Sequence, residues 1–406
     1  MTVGSGSDFL PYGRHSVDAD DEAAVLEVLR SGWLTQGPAV ERFEKALCQT
    51  TGAAHAVALN SGTAALHLAL LAAGIGPGDR AVVPAVTFLA TANAVRLAGG
   101  EVIFADVDPE TGLMGAAQLD QALERAGGLV KAVLPVHLTG QCCDMEAILP
   151  LAERVGAVVI DDACHALGGA VRRGGDLVPV GGSGLAAMTA FSFHPVKAIA
   201  MGEGGAVTTE DAQLAAHIRR LRSHGMSRES FACPDQALDP RGAPNPWYYE
   251  MAEVGLNYRA ADLNCALATS QLGKLRRFID RRAALADRYD RLLAPLAPLI
   301  RPNPRVSWSR QAWHLYAVAV DFIAAGIDRG AVMRAMAAQG VGSQVHYLPV
   351  CHQPYYRARY GTATVPGADQ YYARTLSLPL FVDMRDEDVD RVVEVLSRAL
   401  GGADAA

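Results

Sequence analysis

The chain has 406 residues, half of them apolar, with a formal charge of −7 and an isoelectric point near 5.9. That length can carry two or more cored domains, and the absence of a basic excess argues against nucleic acid or an anionic membrane surface as partner. No apolar run is long enough to span a bilayer, and the first residues lack the basic and apolar regions of a signal peptide, so a cytoplasmic location is expected.

In chain order, residues 18–30 read as a helix with acidic residues in its first turn and Gly32 as its stop, and a second helix starts at Pro38. An alternation then begins. A strand is expected at 55–59, a helix at 63–73, strands at 81–84, 102–105 and 131–136, helices at 88–97 and 144–154, and strands at 157–160, 187–191 and 205–209. A helix at 211–222 follows. Strands alternating with helices predict an α/β fold with a mostly parallel sheet covered on both faces. Residues 226–255, rich in Pro, Gly and aromatics, show neither period and read as an ordered active-site or interface loop. One long helix is predicted over 261–293, a proline-bearing link over 295–304, then a strand at 315–322 and helices at 328–339 and 386–400, together a small α/β domain.

Three stretches carry chemistry. Lys197 ends the apolar run 191–197 (FSFHPVK), where partial desolvation lowers an amine's pKa and makes it a candidate imine former. Asp161 and Asp162 close an apolar strand, and alternation lets only one of them face a pocket; Asp162 is the better choice. Gly62, Thr63 and Ala64 stand between a strand and a helix, where glycine permits close approach and free N–H groups meet an anion at the positive helix end. Lysine, carboxylate and phosphate cradle are the three parts that a pyridoxal-phosphate site requires. Ser192 is placed to add a hydroxyl to the phosphate, His165 to meet the ring's phenolic oxygen, and Phe88 to stack on the ring. No G-x-G-x-x-G follows the first strand, which argues against a nicotinamide enzyme. The seven cysteines, Cys48, Cys142, Cys143, Cys164, Cys233, Cys265 and Cys351, form neither a disulfide framework nor a metal site by spacing, and no metal is expected. Adjacent Cys142 and Cys143 read as reduced and structural.

Residues 61–68 (SGTAALHL), 87–94 (TFLATANA), 161–167 (DDACHAL), 191–197, 202–205 (GEGG) and 255–259 (GLNYR) resemble, in order, the motifs of the DegT/DnrJ-type sugar aminotransferases. The likeness runs from about residue 10 to the last helix. It implies a pyridoxal-phosphate-dependent fold type I (aspartate aminotransferase-like) architecture, with a large α/β/α sandwich domain over 10–280 and a smaller C-terminal α/β domain over 281–406. It also implies a homodimer with shared sites and L-glutamate as amino donor. Residue by residue, Lys197 matches the Schiff-base lysine, Asp162 the pyridinium partner and His165 the residue near the ring oxygen. Phe88 matches the stacking aromatic, Gly62, Thr63, Ala64 and Ser192 the phosphate cradle, and Asn257 an asparagine that reaches the phosphate from the neighbouring subunit. Arg259 and Tyr347 are candidate sugar-nucleotide contacts.

Residues 10–14 (LPYGR), 33–37 (WLTQG), 247–251 (WYYEM) and 345–349 (VHYLP) look most like the family members that aminate UDP-2-acetamido-2,6-dideoxy-β-L-arabino-hexos-4-ulose in pseudaminic acid formation. The expected reaction is therefore transfer of an amino group from L-glutamate to C4 of that UDP-sugar. The alternatives are another C4 or C3 nucleotide-sugar aminotransferase and a regulatory protein that keeps the fold without turnover. Two positions depart from the family pattern: Asp161 stands where glutamate is usual, and Ala200-Met201 where two threonines are.

Overall fold

The computed structural model describes residues 9–127, 129–228 and 231–401. Its main sheet has seven strands in the spatial order His55–Leu59, Gly205–Thr209, Met188–Ser192, Val158–Asp162, Ala132–Val133, Arg80–Pro84, Glu101–Ala105. Gly205–Thr209 runs antiparallel to both neighbours, and every other pairing is parallel. Consecutive residues Val57, Ala58 and Leu59 are all fully buried, as are Ala81, Val82 and Val83, so both faces of the sheet are covered. Helices Gly62–Ala72 and Leu89–Leu97 pack on one another, and Ala116–Arg125 packs on Met145–Arg154.

Local chemistry explains where expectation and structure part. The strand expected over 131–136 pairs regularly only at Ala132–Val133, because Pro135 has no N–H for the ladder; pairing resumes at a bridge from Val136 to Asp162. The helix expected over 261–293 is two helices, Asp262–Leu272 and Leu275–Leu293, parted at Gly273 and Lys274, where glycine's poor helix propensity weakens the run. Residues 170–179 form a hairpin, Ala170–Arg173 with Asp176–Pro179, whose free edge pairs with Ser309–Arg310. Within the aperiodic segment, Met226–Ser227 pairs with Glu250–Met251, and the Glu250 carboxylate accepts from the N–H groups of Ala232 (2.6 Å) and Cys233 (2.8 Å). Residues 229 and 230 of that segment lie outside the described residues.

A second sheet, Ile300–Pro302, Tyr316–Val320 and Thr375–Leu378, is antiparallel throughout. With helices Leu275–Leu293, Arg329–Ala338 and Asp386–Ala399 it surrounds a separate apolar core that includes Tyr289, Val318, Met336 and Val392. The boundary expected near residue 281 falls inside Leu275–Leu293, whose Leu275 and Phe278 belong to the larger core and whose Leu285 and Leu293 belong to the second. Arg282, between them, is buried and donates through Nη1 to the carbonyls of Leu380 (2.9 Å), Trp313 (3.3 Å) and His314 (3.3 Å).

The N-terminal segment ties the two parts together. Leu10 bridges Val341 through two 2.8 Å bonds, Leu10 N–H to the Gly340 carbonyl and Gly342 N–H to the Leu10 carbonyl. Two residues on, the Tyr12 carbonyl accepts from Leu380 N–H (3.1 Å). A Cβ at Gly13 would lie 3.5 Å from the Val196 side chain, next to Lys197.

Candidate active site

The strand ends and turns of the main sheet open on a cavity of about 640 Å³ whose lining includes Gly62, Thr63, Phe88, Asp162, His165, Ser192, Lys197 and Tyr347. These residues come from five separate stretches of chain, and topology alone brings them together.

One end of the cavity is the start of helix Gly62–Ala72. Ser61, in extended backbone, caps it by accepting the Ala64 N–H on Oγ (3.1 Å). That leaves the N–H groups of Gly62 and Thr63 without an acceptor among the described residues, at the positive end of the helix dipole. A Cβ at Gly62 would sit 2.7 Å from the Ser192 Cβ, and one at Gly205 only 2.2 Å from the Ser61 carbonyl oxygen. Glycine at both positions lets this helix end reach Ser192 and the cavity.

The base of the cavity holds Asp162, which is 5 % exposed. Its Oδ2 accepts from Thr91 Oγ1 (2.7 Å) and its Oδ1 from the Cys164 N–H (3.1 Å). Thr91 has one hydroxyl proton and gives it to the carboxylate, so its contact with Thr87 Oγ1 (2.7 Å) has Thr87 as donor. Asp161 faces the other side of the sheet. It is buried there with Oδ2 3.5 Å from His137 Nε2 and does not line the cavity, as strand alternation requires.

Lys197 projects into the cavity from the turn after Met188–Ser192. Burial pushes its amine below the ordinary lysine value, while Cys164 and Asp162 pull the other way. His165 is held well below its usual range by burial first, then by Lys197 and His346, and is therefore neutral. Its Nε2 lies 3.3 Å from Tyr347 Oη. Burial also raises the Tyr347 phenol and lowers His346 to about 3, so this wall is uncharged. Phe88 stands at the mouth, 56 % exposed, with its ring centroid 6.0 Å from that of Tyr347.

Ala64 is buried just behind the helix end, and neither Asn257 nor Arg259 lines this cavity. Sequence reasoning passed over Tyr12, His314, Gln344 and Gln353, which do line it. Tyr12 sat in a quoted motif, but nothing in its spacing tells that residue 12 crosses to meet residue 346, with ring centroids 5.5 Å apart. Among the described residues no cluster suited to a metal ion occurs. Cys142 and Cys143 are free and fully buried, and burial pushes the Cys142 thiol up to about 12, which leaves both unreactive.

The model of the DegT/DnrJ/EryC1/StrS aminotransferase family matches residues 15–397. The chain belongs to that family. It is 41 % identical over 399 residues to the spore coat polysaccharide biosynthesis protein SpsC of Bacillus subtilis, covering 98 % of each chain. Among solved structures, it resembles Helicobacter pylori PseC, an aminotransferase involved in the biosynthesis of pseudaminic acid, with a TM-score of 0.86 at 28 % identity over 97 % of this chain and 100 % of that one. It also resembles the putative sugar aminotransferase Spr1654 of Streptococcus pneumoniae, solved in PLP and PMP forms, with a TM-score of 0.85 at 26 % identity; the PLP form is matched over 97 % of this chain and 99 % of that one. The aminotransferase thus has the fold type I architecture, and it is a pyridoxal-phosphate-dependent sugar aminotransferase. Its cavity fits that cofactor: a helix start whose Gly62 and Thr63 N–H groups have no acceptor among the described residues and where a Cβ would meet Ser192, a buried carboxylate with both oxygens bonded, and a lysine whose charge is disfavoured by burial.

Proposed function

We propose that this enzyme moves the amino group of L-glutamate to C4 of a UDP-linked 4-keto-6-deoxy sugar, with UDP-2-acetamido-2,6-dideoxy-β-L-arabino-hexos-4-ulose as the substrate and pseudaminic acid as the pathway's end. The observation that carries the reaction is the convergence of Lys197, Asp162 and the Gly62 helix end on one cavity. The sugar assignment is supported by the likeness to PseC. The higher identity to SpsC favours a second reading, a sugar destined for a spore-coat polysaccharide.

When bound, the cofactor supplies an electron sink for negative charge that develops at the substrate's reacting carbon. The protein's part is to hold and to move protons. Gly62, Thr63 and Ser192 would hold the phosphate, the Ala64 N–H being taken by the Ser61 cap, and Asp162, fixed by Thr91 and Cys164, would keep the ring nitrogen protonated. Phe88 would cover one ring face, and His165 would act on the phenolic oxygen through the Tyr347 hydroxyl that its Nε2 contacts. Lys197 would be the point of covalent attachment, and as a free neutral amine its Nζ would take the proton from the glutamate Cα in the first half-reaction and deliver one to the sugar's C4 in the second. The depressed amine pKa matters here, because only the neutral form accepts a proton. Both half-reactions use the same nitrogen, so ping-pong kinetics are expected. Asn257, which does not line its own chain's cavity, acts in the site of a second copy, which makes the working unit a homodimer, and Arg259 and Tyr347 are the proposed sugar-nucleotide contacts. In this reading residues 10–280 carry the cofactor and 281–406 form the smaller domain.

The test is a panel of UDP- and dTDP-linked 4-keto and 3-keto sugars supplied with L-glutamate, with the product's amine located by NMR. Amination at C4 of the UDP-linked acetamido sugar is expected. Turnover confined to another nucleotide, or an amine at C3, overturns the substrate assignment.

A further inference from the structure

Four non-glycine residues among the described ones have positive φ, and two of them, Thr139 (60°) and Trp313 (52°), lie in adjoining loops zipped together by backbone bonds. The Ala312 N–H donates to the Gly140 carbonyl (2.9 Å), and the N–H groups of His314 (3.0 Å) and Leu315 (3.3 Å) both donate to the Thr139 carbonyl. Gln311 adds a side-chain bond from Nε2 to Thr139 Oγ1 (3.1 Å). A left-handed conformation costs a non-glycine residue about 1–3 kcal/mol and persists only where its surroundings enforce it; such strain gathers at functional sites. Here the enforced geometry does one thing toward the cavity: the Thr139 N–H donates to His165 Nδ1 (3.3 Å). The next residue, Gly140 (φ 95°), passes so close that a Cβ there would lie 2.8 Å from the His165 carbonyl oxygen, and the His314 ring packs on the His165 ring at 4.3 Å.

A neutral imidazole carries a single N–H. With Nδ1 occupied as an acceptor, the proton sits on Nε2 and points at Tyr347 Oη. The Tyr347 oxygen then accepts, and its own hydrogen is left to donate into the cavity. With the proton on Nδ1 instead, two N–H groups would face each other, Nε2 would claim the Tyr347 hydrogen, and the cavity would lose that donor. We infer that Thr139 is a positioning residue, whose strained backbone aims an N–H at His165 and thereby sets the tautomer of His165 and the direction of the Tyr347 hydroxyl. The kinetic consequence, though not the tautomer, rests on the proposed function.

The test is a two-bond ¹⁵N–¹H correlation spectrum of cofactor-loaded protein labelled with ¹⁵N-histidine, with the His165 signals assigned by their loss in His165→Gln. The expected pattern is unprotonated Nδ1 and protonated Nε2. A proton on Nδ1, or signals averaged between tautomers, overturns the inference. Thr139→Gly keeps the N–H and reaches the same φ freely, so it keeps the pattern; a changed tautomer there would mean that the side chain and not the backbone sets it, and would refute the proposal. Gly140→Ala displaces the turn, and is expected to average the tautomers and lower kcat by roughly tenfold to a hundredfold with little change in KM. An averaged tautomer with undiminished kcat would overturn the kinetic claim alone. If Gly140→Ala does not fold, the spectra of the native protein and Thr139→Gly decide the tautomer claim.

Discussion

Thr91 gives its only hydroxyl proton to Asp162 and receives one from Thr87, so the cavity's buried carboxylate is held by a two-hydroxyl relay with a fixed direction. Thr91→Val preserves shape but removes a donor to a charged oxygen, a bond worth about 1.5–3 kcal/mol. The glutamate half-reaction, followed by stopped-flow absorbance of the cofactor, should slow by roughly tenfold to a hundredfold. Asp162→Asn should slow it further. Equal rates for Thr91→Val and the native enzyme would show that Asp162 needs no such support.

Gly62→Ala tests the phosphate cradle. A methyl group 2.7 Å from the Ser192 Cβ forces the helix end or the strand to shift, an overpacking cost of about 1–3 kcal/mol. Cofactor titration should show weaker binding by about tenfold or more.

Lys197→Ala should abolish covalent retention of the cofactor. After borohydride treatment the native protein gains the cofactor's mass and the variant does not, while the variant still binds cofactor reversibly through Asp162 and the helix end. A mass gain in Lys197→Ala would place the attachment at another amine.

The neutral histidine wall predicts acid sensitivity. His346 has its pKa lowered from 6.5 to about 3 by burial and by Lys197. A base with a depressed folded-state pKa contributes stability that is complete above the unfolded value and lost as pH falls toward the folded one. The unfolding free energy should therefore drop between pH 6.5 and about 3, by an amount on the order of a few kcal/mol, and His346→Gln should flatten that slope. His165 and His314, lowered for the same leading reason, add to it.

Arg282→Leu removes the donor that serves three backbone carbonyls. Unpaired buried acceptors cost about 1–3 kcal/mol each before any relaxation, so a loss of several kcal/mol is expected in denaturant unfolding. Arg282→Lys should not restore it, since one ammonium cannot reproduce the span of a guanidinium.

Most strands and helices of the main sheet follow from hydrophobic alternation, and the lysine, the aspartate and the glycine turn announce themselves because each departs from a plain core pattern. What sequence alone leaves hidden is long-range. The hairpin 170–179 has little apolar periodicity and is held by pairing with Ser309–Arg310, far along the chain. Thr139 looks like any turn residue until its φ is known. Tyr12, His314 and Gln353 become cavity residues only because the C-terminal sheet and the N-terminal segment fold back over the first core.

That fold-back constrains how the enzyme is made. Leu10 leaves the ribosome long before its partner Val341 does, and Tyr12 waits for Leu380. A nascent chain that already contains Lys197 still lacks the roof of its reaction chamber. Chemistry on captured cofactor must await synthesis through Leu380, and translation products that stop short of it are left with an open, unproductive cleft.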